Sequence, residues 1–138
     1  PYGRPDMAYY SFTKNIDNNK TIKVFNNGDM QRDFTYIDDI VNYIELLLKQ
    51  PPCAKEKNYR LLNLGNNNPV RLNYFIKCIE AELGKTAKKK NYPLQPGDVI
   101  NTYADIDPII ELTGYRPQVN IEKGLKIFVE WYKKNKEF

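Results

Sequence analysis

An α/β fold is what this sequence predicts. Segments with apolar residues at helical spacing alternate with short strand-like runs that lie far apart in the chain, which suits layered α/β (or α+β) packing. At 138 residues there is room for one domain with a modest core. Hydrophobic residues at 41% exclude disorder by composition, although 28% charged residues leave little apolar surplus.

The elements follow in order. Pro1 to Pro5 is loop chemistry without a start Met, so the chain reads as a piece of something longer. Asp6 to Ile16 reads as a helix with Asp6 as N-cap and Met7, Tyr10, Phe12 and Ile16 as apolar contacts. Asn18 and Asn19 make a turn, Thr21 to Phe25 a strand, and Asn26 to Asp29 a second turn. Thr35 and Asp38 have capping-box spacing ahead of a helix over Ile37–Lys49. That helix carries apolar residues at 37, 40, 41, 44, 47 and 48, with Tyr43 and Leu46 off the stripe. Apolar residues on more than one side imply cover on more than one side. Pro51 and Pro52 stop it.

Tyr59 to Leu64 reads as a short strand closed by Gly65 and three asparagines. Helices follow over Asn73–Leu83, ended by Gly84, and over Asp107–Gly114, with Pro at its first turn and Gly at its end. Between them Lys88–Tyr92 is a strand and Pro93–Thr102 a loop. Asn120 caps the last helix, whose expected core residues are Leu125, Phe128, Val129 and Trp131.

Net charge is +4, and much of the excess lies in Lys88–Lys90 and in the lysines at 133, 134 and 136, which read as solvated faces. Basic residues are not interleaved with exposed aromatics, which argues against nucleic-acid binding. With no histidine, and with Cys53 and Cys78 at no ligand spacing, zinc sites and Ser/His/Asp or Cys/His catalysis are excluded. Cys78 reads as core and Cys53 as loop. Neither a signal peptide nor an apolar stretch of membrane-spanning length occurs, so no membrane role is expected and the chain reads as cytoplasmic.

The seven glycines are isolated, and none gives the close spacing of a dinucleotide-phosphate loop. Tyr10 with Lys14 and Tyr132 with Lys136 have the Tyr-x-x-x-Lys spacing of an oxidoreductase base and its partner. Given this many tyrosines and lysines, chance yields about one such pair. No Ser or Thr in a cofactor cleft precedes either, and both read as accidental.

Binding chemistry remains. Arg32 stands just before a helix start, where its planar fork suits a diphosphate; the competing reading pairs it with Asp33 on a solvated loop. Arg4 is a second cation in a Gly-Arg-Pro-Asp loop. Asp98, on the turn with Gln95, suits a pair of ribose hydroxyls, or else serves its own loop. Phe25, at a strand end, suits a planar base, or else is core. Together they outline a site for a sugar attached to a nucleoside diphosphate.

The runs PYGRPDM (1–7), VFNNGDMQRDFTYIDDI (24–40), LLNLGNNNPV (61–70) and QPGDV with TYADI (95–106) resemble the C-terminal part of extended short-chain dehydrogenase/reductase nucleotide-sugar epimerases. GRPDM and QPGDV favour the UDP-glucuronate 4-epimerases. The resemblance implies that Arg32 contacts the diphosphate and Asp98 the uridine ribose. It places backbone groups of Lys23 and Phe25 against uracil, and Arg4 in the loop that closes over the sugar, near a C6 carboxylate. Gln95 stands where related hexose epimerases carry a phosphate-binding Arg, so one cation is missing.

The resemblance further implies an NAD-dependent, homodimeric parent that inverts C4 through a 4-keto sugar. Its NAD site and catalytic residues would lie in an N-terminal half outside these residues. Residues 37–64 would belong to that parent's dinucleotide-binding domain, so the fragment is expected to be inactive and to self-associate through them. Competing readings are a UDP-sugar decarboxylase, a dehydratase, a hexose epimerase, or a free-standing α/β binding module.

Overall fold

The computed structural model describes residues 4–53 and 57–136. Among the described residues five α-helices, α1 (Ala8–Asp17), α2 (Ile37–Leu48), α3 (Leu72–Leu83), α4 (Asp107–Thr113) and α5 (Ile121–Lys134), are interleaved with strands β1 (Thr21–Phe25), β2 (Gln31–Asp33), β3 (Pro69–Arg71) and β4 (Lys88–Tyr92). β1 and β4 pair in parallel, from Thr21 opposite Lys88 to Phe25 opposite Tyr92. β2 and β3 pair antiparallel, with Arg32 opposite Val70. A single bridge from Gln31 to Asn101 lays the 93–102 loop along the other side of β2.

Alternation explains β1: Ile22 and Val24 turn inward while Thr21 and Lys23 stay in water. Those two join Ile16, Val70, Phe75, Ile76, Ile79 and Leu125 in one core, with Phe34 stacked on Phe75 at 4.6 Å. α1, α3 and α5 cover it. A second core gathers Tyr43, Ile106 and Ile109, with Leu47, Leu62 and Leu64 at its edge. Asp39 is buried. Its carboxylate accepts from the Tyr115 hydroxyl and from the Gln118 and Val119 amides, which ties α2 to the segment before α5.

Most expected elements form. Gly84 (φ 66°) and Gly114 (φ 71°) take the left-handed conformation that ends α3 and α4. The Asn120 side chain accepts from the Lys123 amide at the start of α5. Leu125 and Val129 are core as expected, whereas Phe128 and Trp131 are only half-buried and Tyr132 takes an inner place instead.

Several expectations are corrected. Asp6 does not cap α1: Met7 holds the cap position without a side-chain bond, because the Asp6 carboxylate is engaged by Arg4. Thr35 and Asp38 form no capping box; Tyr36 precedes α2, and Asp38 and Asp39 in its first turn meet the helix dipole directly. Arg32 lies within β2 rather than on a loop before a helix. β3 was not expected at all.

Residues 59–64 form no strand, since no neighbouring backbone offers a ladder; Leu62 and Leu64 turn toward Tyr43 while Leu61 is 92% exposed. On α2, Tyr43, off the expected stripe, is completely buried against α4, whereas Ile37 and Leu48 on the stripe are 62% and 76% exposed. Val41 and Ile44 are exposed as well. Among the described residues no helix is long and apolar enough to cross a membrane.

Candidate functional site

Arg32 sits in the middle of β2 and reaches across to the loop that follows β4. Its Nη2 donates to Asp98 Oδ1 at 2.9 Å, and Nη1 donates to the Gln31 and Ile100 carbonyls at 2.9 and 3.0 Å. Two of the guanidinium's five N–H donors remain after those three bonds. The two side chains keep 28% and 33% of their surface. The pair is therefore accessible from one side and preorganised from the other.

Neighbouring Asp33 holds the ground beneath. Its carboxylate accepts from the backbone amides of Asn66, Asn67, Asn68 and Ala104, pinning two loops against β2. Thr102 Oγ accepts from the Asp33 amide, and the Gln31 amide and carbonyl pair with Ile100 and Thr102. Arg32 is thus paired with Asp98 rather than with Asp33. Gly65 passes close to Ala104 and Asp33, where a Cβ would meet the Ala104 methyl at 2.4 Å.

Of the six expected site residues, the structure joins Arg32 and Asp98. Gln95 is exposed on the same loop, its carbonyl accepting from the Asp98 amide at 3.1 Å. Phe25 closes the β1–β4 ladder, half-buried, with the Tyr92 ring 5.6 Å away. Lys23 stays exposed, with its ammonium 5.9 Å from the Tyr92 ring centre. Arg4 stands apart, bonded to exposed Asp6, whose carboxyl that guanidinium holds below the usual range. Asp33 was missed as the clamp of this site, since nothing local to it announces partners 33 to 71 residues away. Ile100 enters only through its carbonyl, which no side-chain motif records.

A model described as GDP-mannose 4,6 dehydratase matches residues 7–128. The chain belongs to that family. An uncharacterized protein of Methanocaldococcus jannaschii is 52% identical over 137 residues, covering 99% of this chain and 40% of that protein. UDP-glucuronate 4-epimerase 5 of Arabidopsis thaliana is 44% identical, covering 96% of this chain and 33% of that protein. Among solved structures, UDP-glucuronic acid 4-epimerase from Bacillus cereus in complex with UDP-glucuronic acid and NAD superposes with a TM-score of 0.85 at 30% identity, over 97% of this chain and 42% of that one. The resemblance to extended short-chain dehydrogenase/reductase epimerases is borne out, and the α/β arrangement is theirs. The chain spans about 40% of the length of the relatives it matches.

Two other features of this family member bear on chemistry. Among the described residues no glycine opens a helix after a strand: Gly84 and Gly114 end helices, Gly97 lies in a turn and Gly124 lies inside α5.

Both Tyr-x-x-x-Lys pairs make contacts within the chain. Lys136 pairs with Asp17 at 2.7 Å, and Tyr132 is buried, which pushes its hydroxyl pKa up. Lys14 lies on the Tyr10 ring. A hollow of about 480 Å³ between α1, α5 and the β2–α2 link is lined by Tyr9, Phe34, Tyr36, Phe128 and Trp131, with no charged side chain in its lining.

Proposed function

We propose that this chain is the C-terminal, UDP-sugar-holding portion of an NAD-dependent nucleotide-sugar 4-epimerase that interconverts UDP-glucuronate and UDP-galacturonate. The observation that carries the reading is the Arg32–Asp98 pair, half-exposed and fixed between β2 and the 93–102 loop. The free N–H groups of Arg32 suit diphosphate oxygens, since charge-assisted bonds from a planar fork are among the strongest available. The remaining carboxylate capacity of Asp98 suits the ribose hydroxyls. Backbone groups at Lys23 and Phe25 face the base, Gln95 borders the phosphates, and Arg4, once released from Asp6, meets the sugar carboxylate.

NAD and the catalytic base belong, in this reading, to parts of the parent outside these residues, and the isolated chain is inactive. The exposed stripe of α2 supports self-association of the isolated chain.

Competition binding tests the substrate class. UDP-glucuronate bound to the chain should be displaced by UDP and by UDP-galacturonate but not by GDP-mannose, and added NAD+ should yield no UDP-galacturonate. Displacement by GDP-mannose at equal concentration would favour a dehydratase of the matched family instead. Conversion of UDP-glucuronate above a buffer blank would place the catalytic residues in this chain.

A further inference from the structure

β4 has one paired edge and one open edge. β1 pairs with it from Thr21 opposite Lys88 to Phe25 opposite Tyr92, and no strand lies on its far side among the described residues. Beyond that ladder, no backbone hydrogen bond reaches residues 88–92 among the described residues. Lys88, Lys89, Lys90 and Asn91 are exposed and Tyr92 is half-buried, so nothing covers the edge. Every second N–H and C=O of such a strand points away from its ladder, where another extended backbone can pair with it. The register with β1 runs through five residues without a break, and no proline interrupts it.

This edge is basic. Register turns Lys88 and Lys90 to the side opposite the buried Ile22 and Val24. Neither has a carboxylate within ion-pair distance among the described residues. The Lys90 ammonium lies 5.4 Å from the centre of the Tyr92 ring. Lys89 turns the other way and takes Glu80 at 3.4 Å. A second copy of the chain is the partner these lysines repel: β4 against β4 would set lysine opposite lysine, and like charges directly opposite are destabilising. A strand of opposite charge meets no such barrier.

We propose that β4 is a docking edge for an extended acidic segment of another protein, which joins the sheet as a third strand. The backbone ladder supplies affinity, and the side chains beside it supply selectivity. Side chains of the added strand alternate, so its carboxylates recur at every second position, on the side of Lys88 and Lys90. The positions between them face the Lys89–Glu80 pair and α3. Arg32 and Asp98 take no part.

A short peptide of alternating glutamate and valine is the probe, titrated into the 138-residue chain and followed by amide hydrogen exchange. Exchange should slow at alternate amides within 88–92, the mark of a ladder formed on one edge. The peptide should bind about tenfold tighter than its lysine–valine counterpart, the scale of two cross-strand charge pairs exchanged for two like-charge contacts. Replacing its inner valines by proline keeps the charge but removes ladder donors, and should weaken binding about tenfold. The double variant Lys88→Glu, Lys90→Glu changes only exposed side chains and should reverse the preference toward the lysine–valine peptide. Absence of binding, or binding without protection at 88–92, would overturn the inference. Equal binding of the proline peptide would mean that charge alone attracts, and would overturn it too. Displacement of the acidic peptide by a single-stranded oligonucleotide at equal concentration would make the edge a nucleic-acid surface instead.

Discussion

Arg32 and Asp98 meet at 2.9 Å although 66 residues separate them in the chain. The meeting is built by β2: its Gln31 bridges Asn101, and its Asp33 clamps the 66–68 and 104 amides from the other side. The pair borders water, so it contributes little to stability. A buried counterpart behaves differently.

Arg32→Ala should cost about 1 kcal/mol or less, as partly exposed ion pairs do. Asp39→Ala should cost about 3 kcal/mol or more, because it strands the Tyr115 hydroxyl and two backbone amides in a buried site. Urea denaturation of both variants checks the contrast. Equal losses would mean that Arg32 is a structural residue.

Acid should destabilise the chain through Asp17. Burial alone would raise its pKa, but hydrogen bonds from Lys136 and Lys85 outweigh burial and hold it below the usual carboxylate value. A depressed folded pKa contributes stability that is present above the unfolded value of about 3.9 and is lost as pH falls through the folded one. Melting temperature should therefore fall on acidification below about pH 4. In Asp17→Asn it should start lower at neutral pH and depend less on acid; an unchanged acid limb would contradict the assignment.

Tyr74 should titrate at about 12, because its hydroxyl donates to Glu122 and ionisation would break that bond and set two negative charges together. A raised pKa preserves the contact throughout neutral and mildly alkaline pH; the contact is lost as pH rises through that value. Ultraviolet titration, taken as the difference from Tyr74→Phe, should show the shift, and Glu122→Gln should return it toward about 10.

The isolated chain should self-associate through α2 and the 59–64 segment. Ile37, Val41, Ile44, Leu48 and Leu61 are all exposed along this side, more than the scattered apolar residues normal for a monomer surface. Sedimentation should show concentration-dependent association that Ile44→Lys weakens. A monomer at every concentration, with α2 left in water, would contradict it.

Legibility in the sequence followed the range of the interactions. α4 was readable because Pro108 opens it and Gly114 ends it, and α5 because Asn120 caps its own amide three residues on. β1 showed itself by alternation. β3 did not, since three residues acquire strand character only by lying beside β2. The 59–64 segment is the converse, a strand-like run with no neighbour to pair with.

For α2 the helix was visible but its covered face was not, because α4, some sixty residues later, decides that Tyr43 is inside. At the site, residue chemistry nominated Arg32 and Asp98 separately. Their bond to each other depends on the Gln31–Asn101 bridge, which no local pattern records.

If Arg32 and Asp98 hold a nucleoside diphosphate, UDP should raise the thermal stability of the chain through Arg32. Ligand at about ten times its Kd should add roughly 1.4 kcal/mol of stability. Arg32→Ala should abolish most of that gain, since a hydrogen bond to a charged group is worth about 1.5–3 kcal/mol. The same gain in Arg32→Ala as in the unaltered chain, or none in either, would mean that the Arg32–Asp98 pair holds no nucleotide.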